Sequence, residues 1–512
     1  MRCLVGAARA SALLLLLLVL ALAPGARADD AESYLAVGPD SLLAAAKPLL
    51  EHRAGALKVS TLSVPASIAA EALAAQIKQR QPRYVLLLGD VDRVPTFVVR
   101  EAATDRPYGD WDGDGFPEAA IGRIPLDDPG AVRRVAERTI RYEREREAGL
   151  WQKQLALLAN EGRFSPAIDQ VIEQVFARVI KQVLPTGYDV DLTYANPRSM
   201  YCFPPRHFSA RVLERLNEGA LVFAYIGHGA KQSLDELEVP RESGGGVERF
   251  PVLSARDAGR LQLGRCSPVT IAIACWTACI DGQRPSLGES LLAAPQGPVA
   301  FFGASRVSHP VHNALLAKEL VAELFAKHSA PVRLGPALDR ARKALVRGRA
   351  GDQLRLQLVG MASLFMKKEE LQGEMPRHVD MYNLLGDPAL VLARPEGSID
   401  LSAGTHPPSS YGIKVRGFVS LERKMPVRVT FETPREATAR PPREGETPEE
   451  RYGRANDKVL ATELTVCDEK GQFEVYVRLP VEVGRKHPVV LVKAFACDGK
   501  QSAQGGLEFR FP

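Results

Sequence analysis

From Tyr34 to Leu392 the chain alternates short apolar runs with longer stretches in which apolar residues recur every three or four positions. The short runs read as buried strands and the longer stretches as amphipathic helices. Strands are predicted at 34–37, 57–62 and 84–89, with helices at 40–53 and 66–79 between them. A strongly charged helix follows at 128–146, and 147–150 makes a natural link. Beyond it come a strand at 155–160, a helix at 166–183, a strand at 188–194 and a helix at 209–217. Strand–helix alternation of this kind predicts parallel, doubly wound α/β layers, whose ligands bind outside the carboxyl ends of the strands.

Three further apolar runs form the centre of the pattern. The first, 221–229, stops at His228 between Gly227 and Gly229; the second, 269–275, stops at Cys275; the third covers 297–306, after a helix at 286–294. On neighbouring parallel strands His228 and Cys275 would share one carboxyl edge. A thiolate is a strong nucleophile and an adjacent imidazole takes its proton near neutral pH, so the two residues make a candidate peptidase dyad. The flanking glycines let backbone approach a substrate, and the amides of Gly229 and Cys275 are candidate donors to an oxyanion. Between 233 and 252 the pattern is loop-like, and helices are expected over most of 312–367 before a last strand at 384–392.

After a Pro/Gly linker at 393–397 the period changes to two, with strands at 414–419, 426–431, 459–466, 472–479 and 487–495. Repeated short alternating strands without helices predict an antiparallel immunoglobulin-like β-sandwich, interrupted by a long exposed loop at 433–457. The expected organisation is therefore 1–28, a leader; 29–150, a first α/β subdomain; 151–396, a second α/β subdomain with the dyad; and 397–512, the β domain.

Composition adds to this picture at the N-terminus. Arg2 and Arg9, an apolar run at 12–23 and the small-residue site Ala26-Arg27-Ala28 have the layout of a cleavable secretory signal, so the protein is expected to be exported. That run is short for a membrane span, and the chain has no other long apolar run. The formal charge of +5 falls to +2 when Arg2, Arg9 and Arg27 leave, too balanced for nucleic acid binding. Six cysteines remain, of which Cys467 and Cys497 are the pair expected to bridge. Cys279, four residues after Cys275, is either a redox partner of it or a small buried hydrophobe.

Between 104 and 125 the apolar period is lost and Asp110, Asp112 and Asp114 alternate with Trp111, Gly113 and Gly115. Alternate carboxylates followed by glycine suit a hard cation such as calcium, although the helix-loop-helix calcium pattern would need a glutamate where Ile121 stands. A solvated acidic turn fits the same residues.

Several blocks together resemble the gingipain family of cysteine peptidases: Tyr225-Ile226-Gly227-His228-Gly229, Ala274-Cys275, Ser286 to Leu292 and Gly297 to Phe301. Tyr84 to Asp90 with Val94-Pro95-Thr96, Asp112-Gly113-Asp114 before Gly122-Arg123-Ile124-Pro125, and Leu385 to Leu390 agree in order. The resemblance implies two caspase-like subdomains, with histidine preceding cysteine on adjacent strands. It implies that Glu161 supports His228, and that Asp169 with Trp276 binds the substrate residue before the cut bond. An acidic pocket would favour Arg or Lys there. It also implies a structural calcium ion, no cofactor for the chemistry itself, and protein or peptide substrates. The rival reading is an exported, non-catalytic binding or adhesion protein on the same fold, since fold does not imply function.

Overall fold

The computed structural model describes residues 32–65, 67–145, 147–163, 174, 177–241, 244–326, 330–363, 366–405 and 412–511. The leader and Asp169 lie outside the described residues. The strands are β1 (Ser33–Gly38), β2 (Lys58–Ser63), β3 (Tyr84–Leu88), β4 (Phe97–Val99), β5 (Ala102–Thr104), β6 (Ala120–Ile124), β7 (Gln154–Asn160) and β8 (Asp189–Ala195). They continue with β9 (Val222–Ile226), β10 (Glu236–Pro240), β11 (Val247–Pro251), β12 (Val269–Ile273), β13 (Ala300–Ala304) and β14 (Tyr382–Leu385).

Ten of these form one sheet in the order β2-β1-β3-β6-β14-β13-β12-β9-β7-β8, so the two α/β layers are continuous. β14 joins them. It runs antiparallel to β13, with Phe301 opposite Leu385, and parallel to β6, where Leu385 meets Arg123. The other neighbours in each half are parallel. The halves therefore run in opposite directions, and the carboxyl edge bearing His228 and Cys275 faces away from that of the first half. The last strand, expected at 384–392, is this short seam. Asp387 just beyond it accepts from Arg53 Nε at 2.7 Å and from Tyr34 Oη at 3.2 Å, which staples the seam to the first half.

Alternation along the strands sends side chains to both faces. Tyr34, Leu86, Phe223, Tyr225 and Ala272 join one core with helices Asp40–Ala54, Pro129–Arg144, Phe208–Asn217 and Leu287–Ala293. On the opposite face Leu35 and Val85 pack on helix Ala70–Arg80. There too Ile271, Ile273 and Phe302 pack on helices Pro310–Phe325, Leu334–Arg347 and Lys368–Met381. Burial on both faces explains why these strands read as continuous apolar runs. Among the described residues no helix is long and apolar enough to cross a membrane.

The stretch 233–252, expected as a loop, contains the hairpin β10–β11, with Glu236 opposite Pro251 and glycines 244–246 at its tip. Alternation there is masked by the exposed charges of Glu236, Glu248 and Arg249 and by half-buried Glu238, which pairs with Arg163.

The C-terminal region is a seven-stranded sheet in the order β18-β17-β20-β21-β15-β16-β19. Its strands are β15 (Gly397–Thr405), β16 (Gly412–Val419), β17 (Pro426–Glu432), β18 (Val459–Val466), β19 (Gln472–Arg478), β20 (Val489–Cys497) and β21 (Ser502–Arg510). The end strands β18 and β19 approach each other, so the sheet nearly closes around Val415, Val429, Phe431, Val475 and Val492. Two helices, Pro448–Asn456 and Val481–Lys486, correct the all-strand expectation. The first starts at Thr447, whose hydroxyl accepts from the Glu450 amide while the Glu450 carboxylate accepts from the Thr447 amide. It lies inside the stretch expected as an exposed loop, and it packs: Tyr452 is buried edge-on against Phe203. Arg435 from the same stretch donates to the carbonyls of Ile180, Leu184, Pro185 and Tyr188.

Cys467 and Cys497 are both free thiols, against expectation. Strands β18 and β20 flank β17 on opposite sides, with Val466 opposite Pro426 and Ala496 opposite Val427. Two strand spacings separate the cysteines by about 10 Å, beyond the reach of a disulfide.

Candidate active site

The register of β9 and β12 brings the candidate dyad together. Ile226 pairs with Ile273, so two residues further along each strand His228 and Cys275 stand at the same level on adjacent strands. Both line one cleft with Asn160, Gly162, Gly227 and Ser308.

Local backbone chemistry explains how each strand ends. A Cβ on Gly229 would lie 2.6 Å from the Cys275 carbonyl oxygen, so only glycine lets the two chains approach this closely. At Gly227 a Cβ would lie 2.5 Å from the Tyr225 hydroxyl. That hydroxyl needs the space, because it turns back to donate to the His228 carbonyl at 2.6 Å. After Cys275 the chain turns through Trp276, which is left-handed at φ 62°. Such a conformation costs about 1–3 kcal/mol in a non-glycine residue and often accompanies a functional turn.

The imidazole of His228 points Nε2 at the carbonyl oxygen of Gly162. A carbonyl can only accept, so Nε2 carries the hydrogen and Nδ1 is the second ring nitrogen of the neutral form. Gly162 is held in turn by its neighbours. Asn160 accepts from the Glu161 amide at 2.8 Å, and Arg163, left-handed at φ 49°, pairs with Asp235 and, at 3.2 Å, with Glu238. Glu161 thus sits beside the group that orients His228, and the acceptor at Nε2 is the next residue's backbone. Gly162 was not singled out in the sequence, where only side-chain acceptors stand out.

Cys275 is half-buried, and Ser308 surrounds its sulfur. The Ser308 amide donates to Sγ at 3.3 Å, the Ser308 hydroxyl lies 3.7 Å away, and the thiol reaches the Ser308 carbonyl at 3.7 Å. Among the described residues the amides of Gly229 and Cys275 donate to no backbone carbonyl. Cys279 is different. It is buried, its thiol donates to Asp281 Oδ1 at 3.4 Å, and burial together with the Asp281 charge pushes its pKa up to about 11. Asp281 is itself paired with Arg306 at 2.8 Å, so Cys279 belongs to a polar cluster beside the site. Both cysteines are free thiols.

Trp276 does not line the cleft that holds His228 and Cys275; its ring lies between Lys231 at 5.1 Å and Arg306 at 5.4 Å.

In the acidic stretch, Asp110 and Asp112 converge with Glu118, their carboxylate oxygens lying within 4.8 Å of one another. Asp114 does not join them; it pairs with Arg347 at 2.9 Å. The amides of Gly113 and Gly115 donate to Asp110, and that of Asp114 to Asp112, which folds the loop back onto Glu118. The third carboxylate was missed because it follows the glycines instead of preceding them.

Comparison with known proteins agrees with this geometry. The chain is similar to the crystal structure of the Arg-specific cysteine proteinase gingipain R, RgpB, at 16% identity and a TM-score of 0.56, over 94% of this chain and 99% of that one. It is similar to the complex of the Porphyromonas gingivalis RgpB pro- and mature domains at 15% identity and a TM-score of 0.54, over 93% and 99%. Among curated proteins none matches the chain. Residues 27–393 match the profile of peptidase family C25. Sharing the gingipain fold and that family's sequence pattern over most of its length, the chain belongs to peptidase family C25, the gingipain family of cysteine peptidases.

Proposed function

We propose that the protein is an exported cysteine endopeptidase in which Cys275 attacks the peptide carbonyl and His228 moves the protons. The observation that carries this reading is the β9–β12 register, which aligns the two residues at the carboxyl edge while the Gly162 carbonyl occupies Nε2. Nδ1 then takes the thiol proton, the thiolate adds to the carbonyl carbon, and the amides of Gly229 and Cys275 receive the oxyanion. His228 returns the proton to the departing amine, and water hydrolyses the thioester. Glu161, beside Gly162, favours the imidazolium that forms in between.

Substrates are proteins or peptides, cut after Arg or Lys, with Asp169 as the residue that contacts that side chain. Arg163 and Arg306 beside this edge are neutralised by Asp235, Glu238 and Asp281, and the preference needs the Asp169 carboxylate as the counter-ion of the substrate side chain. Incubation of the mature protein with peptidyl acyloxymethyl ketones carrying Arg, Lys, Leu or Glu, followed by mapping of the modified residue, tests both parts. Labelling at Cys275, fastest with Arg or Lys, is expected. Labelling at Cys279 alone would refute the nucleophile, and equal rates for all four probes would refute the preference.

The C-terminal sheet, with strands facing each other around one core and β15 pairing on both sides, is read as an immunoglobulin-like sandwich.

The acidic loop is assigned to a structural calcium ion held by Asp110, Asp112 and Glu118. Each of the three carboxylates offers an oxygen to the same point, about three of the roughly six to eight that calcium takes, and glycines on either side of Asp114 give the loop its turn. Chelation is expected to lower the melting temperature by about 5 °C. Asp112→Asn and Glu118→Gln should each remove that sensitivity, whereas Asp114→Asn should keep it. An identical melt with and without chelator would refute calcium.

A further inference from the structure

The sulfur of Cys275 is backed by a buried hydrogen-bond chain that the dyad does not use. Asn313 Nδ2 donates to the Ser308 hydroxyl oxygen at 2.9 Å. The Asn313 carbonyl oxygen accepts from His378 Nε2 at 2.8 Å and from the Tyr382 hydroxyl at 2.6 Å. Asn313, His378 and Tyr382 are all buried, and His378 stacks near His312, which reaches the Leu371 carbonyl at 2.8 Å. The chain comes from three elements: the turn after β13, helix Pro310–Phe325, and helix Lys368–Met381 running into β14.

The direction of every bond follows from the donors present. The Tyr382 hydroxyl donates to the Asn313 oxygen, and the amide nitrogen on the other side of that side chain faces Ser308. The Ser308 oxygen, having accepted that bond, sends its own hydrogen outward. Two acceptors are within reach, the Cys275 sulfur at 3.7 Å and the Tyr382 phenol beside it. The Tyr382 hydrogen is committed to Asn313, and an ionised sulfur is a far stronger acceptor than a neutral phenol oxygen.

We propose that Ser308 is a further catalytic residue, whose amide and hydroxyl both donate to the Cys275 thiolate, and that Asn313 is the positioning residue that aims the hydroxyl. The assignment rests on the reading of Cys275 as the nucleophile. The neutral thiol, by contrast, donates to the Ser308 carbonyl. On ionisation the amide bond to the sulfur is kept and the hydroxyl hydrogen turns to it in place of the lost thiol bond, so two donors meet the thiolate.

Among the described residues, the charged groups Glu370, Glu374 and Arg377 act on the imidazoles behind this chain. His228 faces the sulfur across the strand edge, and Tyr382 faces it through Ser308. His309, His312 and His378 lie behind Asn313. Burial first, then the neighbouring imidazole of His312, lowers the His378 pKa well below the usual histidine range. The imidazole therefore stays neutral, and its Nε2 tautomer is the one that donates to Asn313, while the burial that raises the Tyr382 pKa keeps the phenol hydrogen in place.

The test is iodoacetamide alkylation of the full mature protein across pH, read at Cys275 by mass spectrometry. In Ser308→Ala the rate at pH 7 is expected to fall about tenfold and the profile to move to higher pH, because one charge-assisted hydrogen bond is lost. Ser308→Thr, which keeps the hydroxyl, should restore the wild-type profile. Asn313→Leu should slow alkylation as Ser308→Ala does without touching the sulfur, and a cooperative melt well above the assay temperature separates this from misfolding, since the lost bonds to His378 and Tyr382 lower stability. A wild-type profile in Ser308→Ala overturns the hydroxyl's role, and one in Asn313→Leu overturns its aiming. The readout does not require peptide cleavage. A wild type that alkylates as expected but cuts no peptide would refute the peptidase reading alone.

Discussion

Cys275→Ala is expected to lower kcat/KM on a peptide substrate by at least about 10⁴-fold, the loss typical when a covalent nucleophile is removed. Its melting temperature should stay near that of the wild type, since Cys275 is half-buried and, among the described residues, its sulfur bonds to Ser308. His228→Ala should cost about 10²- to 10⁴-fold by removing the general base. The double variant should be no worse than Cys275→Ala, because the two residues act on one step. Cys279→Ala is the internal control. Its thiol is buried against Asp281 and pushed up to about 11, so the variant should retain activity with and without reductant. Equal losses in Cys275→Ala and Cys279→Ala would show that the nucleophile has been misassigned.

The second large effect concerns stability and lies far from the cysteine. Arg123, at 0% exposure, is the most deeply buried charge of the first half. All its donors are used. Nε and one terminal nitrogen form a two-pronged pair with Asp105 at 2.7 Å each, and the remaining hydrogens go to the carbonyls of Gly89, Val94 and Pro95. Those carbonyls belong to the turn after β3, so one side chain on β6 fixes that turn and the hairpin β4–β5 beyond it. Burial alone would lower the Arg123 pKa, but the Asp105 charge outweighs it, and the guanidinium stays charged.

Arg123→Met is expected to destabilise the protein by about 3–5 kcal/mol, because it leaves the Asp105 carboxylate buried without its counter-charge. The three freed carbonyls add to this. Arg123→Met with Asp105→Leu should be less damaging than Arg123→Met alone, since removing both charges avoids the uncompensated one. Urea unfolding of the four proteins measures this directly. A loss below about 1 kcal/mol in Arg123→Met would contradict the account, as would a double variant that is merely additive.

What the sequence by itself determined is the set of strands buried on both faces and the residues at which they end. Apolar runs such as Val222 to Ile226 and Val269 to Ile273 have no other stable use, and a histidine or cysteine directly after such a run must lie at the sheet edge. The ordered motif blocks added the family, which the match over residues 27–393 bears out. The tertiary structure alone decided everything that depends on which strands become neighbours. β14 is four residues long, and only its pairing with β13 and β6 turns two layers into one sheet of opposed halves. The insertion of β17 between β18 and β20 kept Cys467 from Cys497. Glu118 replaced Asp114 in the acidic cluster because the loop's own amides fold it back on itself. Gly162, Ser308 and Asn313 reached the dyad from separate segments through hydrogen bonds. Such bonds have direction and length but no periodicity along the chain, so no pattern in the sequence announces them.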